Sequence, residues 1–189
     1  KGDTIWMGAV DSEGTVVSFI QSIFWEFGSG VICPETGVLF QNRGAGFSLS
    51  PGPNCLAPGK KPFHTLNPAM AVMKDGRIVS YGTMGGEGQP QTQAAIFARY
   101  AFHGCDLQRS ISAPRWLLGK TWGDDTTSLK LESSFDAKLI NELREANHQV
   151  EIVSENNSLM GHAGSVVSHP DGRVEAASDA RSDGIALAG

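Results

Sequence analysis

Apolar and polar positions alternate first at the amino end. Ile5-Trp6-Met7-Gly8-Ala9-Val10 and Thr15-Val16-Val17-Ser18-Phe19-Ile20 flank the polar turn Asp11-Ser12-Glu13-Gly14. Two β-rich runs around a turn closing on glycine predict a hairpin. Val38-Leu39-Phe40 is a further short apolar run. From Arg43 to Lys61 the chain is rich in Gly, Pro, Asn and Ser without any period. That predicts a long ordered loop, of the sort found over binding sites. A second hairpin is predicted at Ala69–Met73 and Arg77–Gly82 around Lys74-Asp75-Gly76, and Met84–Gly88 then breaks regular structure.

Helical periodicity begins near Gln91, with Ala94, Ala95, Phe97, Ala98, Ala101 and Phe102 predicted as the stripe facing the core. Leu107–Ser112 predicts a short helix ending at Pro114, and Asp136–Ala146 an amphipathic one with Leu139, Ile140 and Leu143 on one face. Leu129–Leu131 and Val150–Val153 read as strands, and Ala163–Val167 with Arg173–Ala177 as a last hairpin. Strands, then helices, then strands predict an α+β fold with helices segregated outside the sheets, not alternating βαβ units.

Composition narrows the class. A chain of 189 residues is one domain or one half of a larger one. With 40% hydrophobic and 19% charged residues it can build a core. A net charge of −5 leaves no basic footprint for nucleic acid. No run of about 18 apolar residues offers a membrane-spanning helix. Cys33, Cys55 and Cys105 are odd in number and lack ligand spacing, which argues against a disulfide framework and a structural zinc. Gly, at 23 residues, is roughly 12% against an average near 7%, so the backbone takes many unusual conformations or close approaches. Lys1-Gly2-Asp3 carries neither Met nor a signal pattern, and is expected to be a piece of precursor ahead of a single domain spanning 4–189.

Several residues carry candidate chemistry, each with a bland counterpart. Thr4 stands just before the first strand. If the peptide bond before it is cut, the freed α-amine serves as base for its own hydroxyl; otherwise Thr4 is a plain polar residue. Gly85-Gly86 lies between a strand and a helix, where backbone N–H groups can stabilise an oxyanion or simply make a tight connection. The run lacks the GxGxxG spacing and the phosphate-loop Lys, so a nucleotide site is not supported. His64-Thr65 before Asn67-Pro68 suits either a substrate carboxylate or a capped turn. Arg43, in the Gly-rich loop, suits bidentate carboxylate binding or a solvated surface. His103, His148, His162 and His169 share no spacing, and no metal or other cofactor is indicated.

Taken in order, a set of motifs resembles the small subunit of the γ-glutamyltranspeptidase family. They are Thr4 before a strand, Phe27-Gly28-Ser29-Gly30, Pro62 to Asn67-Pro68, Gly82-Thr83-Met84-Gly85-Gly86, Ala113-Pro114-Arg115 and Ala177-Ser178-Asp179-Ala180-Arg181-Ser182. The likeness covers nearly the whole chain. Within the family, Trp6-Met7-Gly8, Ser18–Ser22, Phe63–Pro68 and Met84–Gln93 are most similar to the members that hydrolyse oxamate in purine-nitrogen catabolism.

The resemblance implies a four-layer αββα sandwich of the N-terminal-nucleophile hydrolase type, completed by a large subunit cut from the same precursor. It implies that Thr4 is the nucleophile both of autocleavage and of catalysis. Ser22 falls where a hydroxyl residue hydrogen-bonds the nucleophile, Gly85 and Gly86 on the oxyanion pair, and His64 and Thr65 where transpeptidases carry two serines for the α-carboxylate. Transpeptidases hold the substrate ammonium with an Asn, a Gln or Asn, and an acidic residue. The matching positions here are Phe24, Arg43 and Gly46. A site without that carboxylate leaves an ammonium unpaired, at a cost of several kcal/mol. The pocket is therefore expected to take a small anionic amide such as oxamate, with Arg43, His64 and Thr65 on its carboxylate. The alternatives are a γ-glutamyl transpeptidase or hydrolase, a cephalosporin or glutaryl acylase-like amidase, and a non-catalytic assembly subunit. A cytoplasmic location is expected, with periplasmic or secreted as the alternative, and a dimer of heterodimers is the higher assembly considered.

Overall fold

A computed structural model describes residues 4–120 and 126–188. The expected precursor remnant, residues 1–3, lies outside the described residues. Strand β1 (Thr4–Val10) pairs antiparallel with β2 (Val16–Ser22), Thr4 facing Ser22 and Trp6 facing Ile20. The turn between them closes as expected: Asp11 Oδ1 accepts from the N–H groups of Glu13 and Thr15, and Gly14 takes φ +84°. The strand extends one residue further toward the amino end than the apolar pattern predicted, so Thr4 belongs to the ladder.

The central sheet is antiparallel, in the order β3 (Ala69–Val72), β4 (Ile78–Thr83), β8 (Ala163–Ser168), β9 (Val174–Ser178). Its two faces are divided by the period-2 alternation of the strands. Ala163 and Val167 of β8 face α1 (Gln89–Ala101) and α2 (Leu107–Ser112), packing with Val79, Ile96, Tyr100 and Ile111 into the main core. Each such apolar side chain contributes about 1.5–3 kcal/mol on burial. Gly164 and Val166, on the opposite face, meet the β1–β2 hairpin. Helices, sheet and hairpin thus stack as α, β, β layers.

A glycine slot joins the two β layers. Gly82 of β4 and Gly164 of β8 pair directly, and the Trp6 indole lies over both. A methyl group at either glycine would run into the ring. Trp6 Nε1 donates to Ser18 Oγ at 3.0 Å, and Ser80 Oγ donates to the Val17 carbonyl at 2.9 Å. The indole therefore fixes how the hairpin sits on the sheet.

One expectation fails. The buried face of α1 is Gln89, Thr92, Gln93, Ile96 and Tyr100, while Ala94 and Phe102 are exposed. An alanine-rich stripe gains little from burial, and two of the polar residues that go inside are hydrogen-bonded there. Thr92 Oγ1 donates to the Met160 carbonyl at 3.0 Å, and Gln93 Nε2 to the Asn67 carbonyl at 2.8 Å. A βαβ unit is also present: β6 (Leu129–Glu132) runs parallel to β7 (Val150–Val153), with α3 (Ala137–Glu145) between them in sequence and β5 (Trp116–Leu118) on the other edge of β6. Val38–Phe40 contributes one isolated bridge, Ile32 to Leu39, instead of a strand.

Candidate active site

The hairpin delivers Thr4 to one end of the central sheet. Gly8 abuts Val166 and Trp6 abuts Gly164, so β1 runs in the same sense as β8. Thr4, two residues earlier on the same face, falls level with position 162. The β4–β8 register pairs Thr83 with Ala163, so that level is also where β4 runs out into Met84-Gly85-Gly86. Thr4 Oγ1 donates to Ser22 Oγ at 2.8 Å. Ser22 Oγ in turn accepts the Phe24 N–H at 3.0 Å.

Gly85 and Gly86 adopt φ +132° and +53°, conformations that L side chains rarely take. They lead through a 3-10 turn (Gly86–Gly88) into α1, with Gly88 N–H donating to the Gly85 carbonyl at 2.9 Å. The pair therefore stands at the amino end of a helix, where backbone N–H groups and the helix dipole favour negative charge. Gly161, at φ +84°, backs this turn: a Cβ there would strike Thr83 Oγ1 and the Met84 carbonyl.

The loop after β2 supplies a cation. Arg43 opens a 3-10 turn (Arg43–Gly46) and is buried, at 9% exposure. Its guanidinium lies over the Phe24 ring, Cζ 4.3 Å from the ring centroid, and its Nη1 donates to Thr65 Oγ1 at 3.3 Å. Burial pushes the Arg43 pKa down and nearby Glu87 opposes that, though an arginine stays charged throughout. No carboxylate among the described residues forms an ion pair with it. Asn54 holds the loop in place, its Nδ2 donating to the Gly46 carbonyl at 2.7 Å and its Oδ1 accepting from Phe63 N–H at 3.1 Å. Phe24, Arg43 and Gly46 are brought together, since a Cβ on Gly46 would stand 3.9 Å from Phe24 Cζ.

The sequence candidates thus fall into contacting sets: Thr4 with Ser22, Arg43 with Thr65, and Gly85 next to Gly86. His64 stands apart, exposed and without a hydrogen bond among the described residues. Among the described residues no group of three or more His, Cys, Asp or Glu side chains could hold a metal ion.

Sequence reasoning missed the support behind the site. Arg115, Glu132, Asp179 and Arg181 form a network in which each side chain is at most 1% exposed. Arg115 pairs with Asp179, and Arg181 pairs with both Asp179 and Glu132. Arg115 Nη1 also donates to the carbonyls of Met160 (2.8 Å) and Gly161 (3.3 Å), which anchors the residue backing Gly85. Ala163 N–H donates to Asp179 Oδ2 at 2.7 Å. Burial pushes the Asp179 carboxyl up, but Arg115 and the backbone N–H donors outweigh it and hold it below the usual carboxylate value. His162, between Gly161 and β8, is held below the ordinary histidine value by burial, with Asp179 opposing. The sequence signal was the presence of these charges in Ala113-Pro114-Arg115 and Ser178–Ser182, next to otherwise apolar elements.

The family model for gamma-glutamyltranspeptidase matches residues 1–189. The chain is 60% identical over 186 residues to the oxamate amidohydrolase proenzyme of Klebsiella pneumoniae, covering 98% of this chain and 35% of that protein. It is 46% identical to the glutathione hydrolase-like YwrD proenzyme of Bacillus subtilis, again over 98% of this chain and 35% of the relative. The chain thus spans about a third of the length of these relatives. Among solved structures, gamma-glutamyltranspeptidase from Pseudomonas nitroreducens complexed with L-DON superposes with a TM-score of 0.80 at 22% identity, covering 97% of this chain and 98% of that one. The α, β, β stack is accordingly the N-terminal-nucleophile hydrolase fold, and the chain belongs to the gamma-glutamyltranspeptidase family.

Proposed function

We propose that this chain is the catalytic small subunit of an amidohydrolase that converts oxamate to oxalate and ammonia. The observation that carries the reading is Arg43: a buried guanidinium that forms no ion pair with a carboxylate among the described residues, set over the ring of Phe24, whose N–H donates to the Ser22 hydroxyl that accepts from Thr4. A desolvated cation is costly unless an anion meets it. A substrate carboxylate beside an amide carbon satisfies it. A glutamyl ammonium would add a second positive charge there. The 60% identity to a protein named oxamate amidohydrolase proenzyme supports the same substrate.

In this reading, cleavage between Asp3 and Thr4 frees the Thr4 α-amine. That amine takes the hydroxyl proton as Thr4 Oγ1 attacks the amide carbon. Ser22 Oγ, 2.8 Å away, steers the hydroxyl. The N–H groups of Gly85 and Gly86 hold the oxyanion; losing one such donor typically costs about 100–1,000-fold in rate. The α-ammonium passes that proton to the amide nitrogen as the C–N bond breaks, so that ammonia departs and an oxalyl ester is left on Thr4. Water then hydrolyses the ester to oxalate. Arg43 and Thr65 orient the free carboxylate, with His64 at the rim.

The rest of the precursor is proposed as the large subunit. The outer face of the hairpin presents Ile5, Met7, Val17 and Phe19 to solvent. A strand that is apolar on both faces suits burial between two layers. The large subunit would cover this face and supply the second helical layer.

The test is ammonia release from oxamate against turnover of a γ-glutamyl anilide, on protein whose amino-terminal residue has been identified by mass spectrometry. The reading expects an amino-terminal Thr4 and a preference for oxamate, and Thr4→Ala to abolish both cleavage and turnover. A γ-glutamyl preference would favour the glutathione hydrolase-like relative as the better guide. Full activity in Thr4→Ala would end the nucleophile assignment.

A further inference from the structure

Phe24 links the two halves of the site. Its N–H donates to the Ser22 hydroxyl, which accepts from Thr4, at 3.0 and 2.8 Å. Its ring carries the Arg43 guanidinium, with Cζ 4.3 Å from the centroid. Its backbone sits at φ +78°, where a bulky L residue is an outlier. Such conformations persist when the surroundings over-determine them, and they concentrate at functional sites. The surroundings here are on both sides. Trp25 stacks at 5.6 Å and 16°, and Asn42 Oδ1 accepts the Trp25 N–H at 3.0 Å.

We propose that Phe24 is a positioning residue, whose ring holds the Arg43 guanidinium in place for the substrate carboxylate. The inference rests on the reading of Thr4 as nucleophile and Arg43 as carboxylate site. A guanidinium held over an aromatic face keeps its N–H donors free for a carboxylate. The Phe24 backbone is at the same time tied to the Ser22 hydroxyl that accepts from Thr4, so one residue contacts both the cation and the partner of the nucleophile. Gly46 at the ring edge leaves the ring room to stay in this position.

The test uses the mature two-subunit enzyme with Phe24→Leu, Phe24→Trp and Phe24→Ala. Leucine meets the same backbone constraint, so it isolates the aromatic face. Oxalate affinity is read by calorimetry, and kcat and KM on oxamate. A cation–π contact of ordinary strength predicts about a threefold to thirtyfold loss of oxalate affinity and a matching rise in oxamate KM in Phe24→Leu. Phe24→Trp should retain most of both. Phe24→Ala should lose at least as much oxalate affinity as Phe24→Leu. Circular dichroism and completeness of chain cleavage identify a variant that fails to fold, in which case Phe24→Trp and Phe24→Leu still decide the matter. Wild-type oxalate affinity in Phe24→Leu overturns the inference. If the wild-type enzyme binds no oxalate at all, the functional reading falls and this inference with it. If binding depends on Arg43 but not on Phe24, only the inference falls.

Discussion

Arg43, at 9% exposure, is less deeply buried than Arg115 and Arg181, at 1% and 7%, and its surroundings differ. Arg115 and Arg181 share Asp179 and Glu132 and donate to several backbone carbonyls. Arg43 has an aromatic ring and one threonine hydroxyl. The first arrangement is internally complete and ties together the segment after α2, β6, the turn before β8 and the segment after β9. The second has no ion pair among the described residues, with Glu87 only near enough to favour its charge, and in the function proposed above its anion is the substrate. Partner chemistry, more than burial, is what sets the two arrangements apart.

The largest effect that would sharpen this contrast is expected at Asp179. Asp179→Ala leaves two buried guanidinium groups sharing one carboxylate, and breaking such a network costs about 3–5 kcal/mol. The expected result is a large fall in the midpoint of denaturant unfolding, together with impaired chain cleavage because Gly161 loses its anchor. Unfolding at the wild-type midpoint would show that the network is not structural. Arg43→Met should behave in the opposite sense, folding at least as stably as wild type because an unpaired buried charge is gone. Its deficit should lie in ligand response. Oxalate at a hundred times its Kd should stabilise the wild-type protein by about 2.7 kcal/mol and leave Arg43→Met unmoved. Thermal melts with and without oxalate read this directly, and equal shifts in both proteins would break the comparison.

The smallest effect is in pH dependence, and it has two windows. His162 has a depressed pKa in the fold, so the unfolded chain takes up the proton first as pH falls below the unperturbed value of 6.5. Stability should decline from there down to the folded pKa. Asp179 also has a depressed pKa, but its contribution is intact above the unfolded carboxylate value of about 3.9 and is lost only as pH falls through the folded one. His162→Asn should flatten the upper window and leave the lower. A melting temperature that stays flat from pH 7 to 4.5 in the wild type would sink the His162 assignment.

Local elements were legible in the sequence because they rest on period and punctuation. The hairpins, the short helix Leu107–Ser112 and the strand Val150–Val153 all follow from alternation, glycine turns and a closing proline. The face of α1 was not legible, because an alanine stripe is a weak signal beside two hydrogen-bonded polar residues. The parallel pairing of β6 with β7 was hidden for a related reason: strands of four residues carry no mark of their partner.

The candidate site divides the same way. Residue types and their order in the chain sufficed to single out Thr4, Ser22, Arg43, Thr65, Gly85 and Gly86, since each is tied to a local motif. Their assembly depends on contacts across long stretches of chain. Trp6 seats the hairpin on the Gly82–Gly164 pair, Phe24 joins the Ser22 hydroxyl to the Arg43 guanidinium, and Asp179 anchors Ala163 from the far side of β9. A one-dimensional pattern records what each side chain can do. Which of them touch, and which buried charge forms no ion pair among the described residues, depends on packing between segments that the pattern does not order in space.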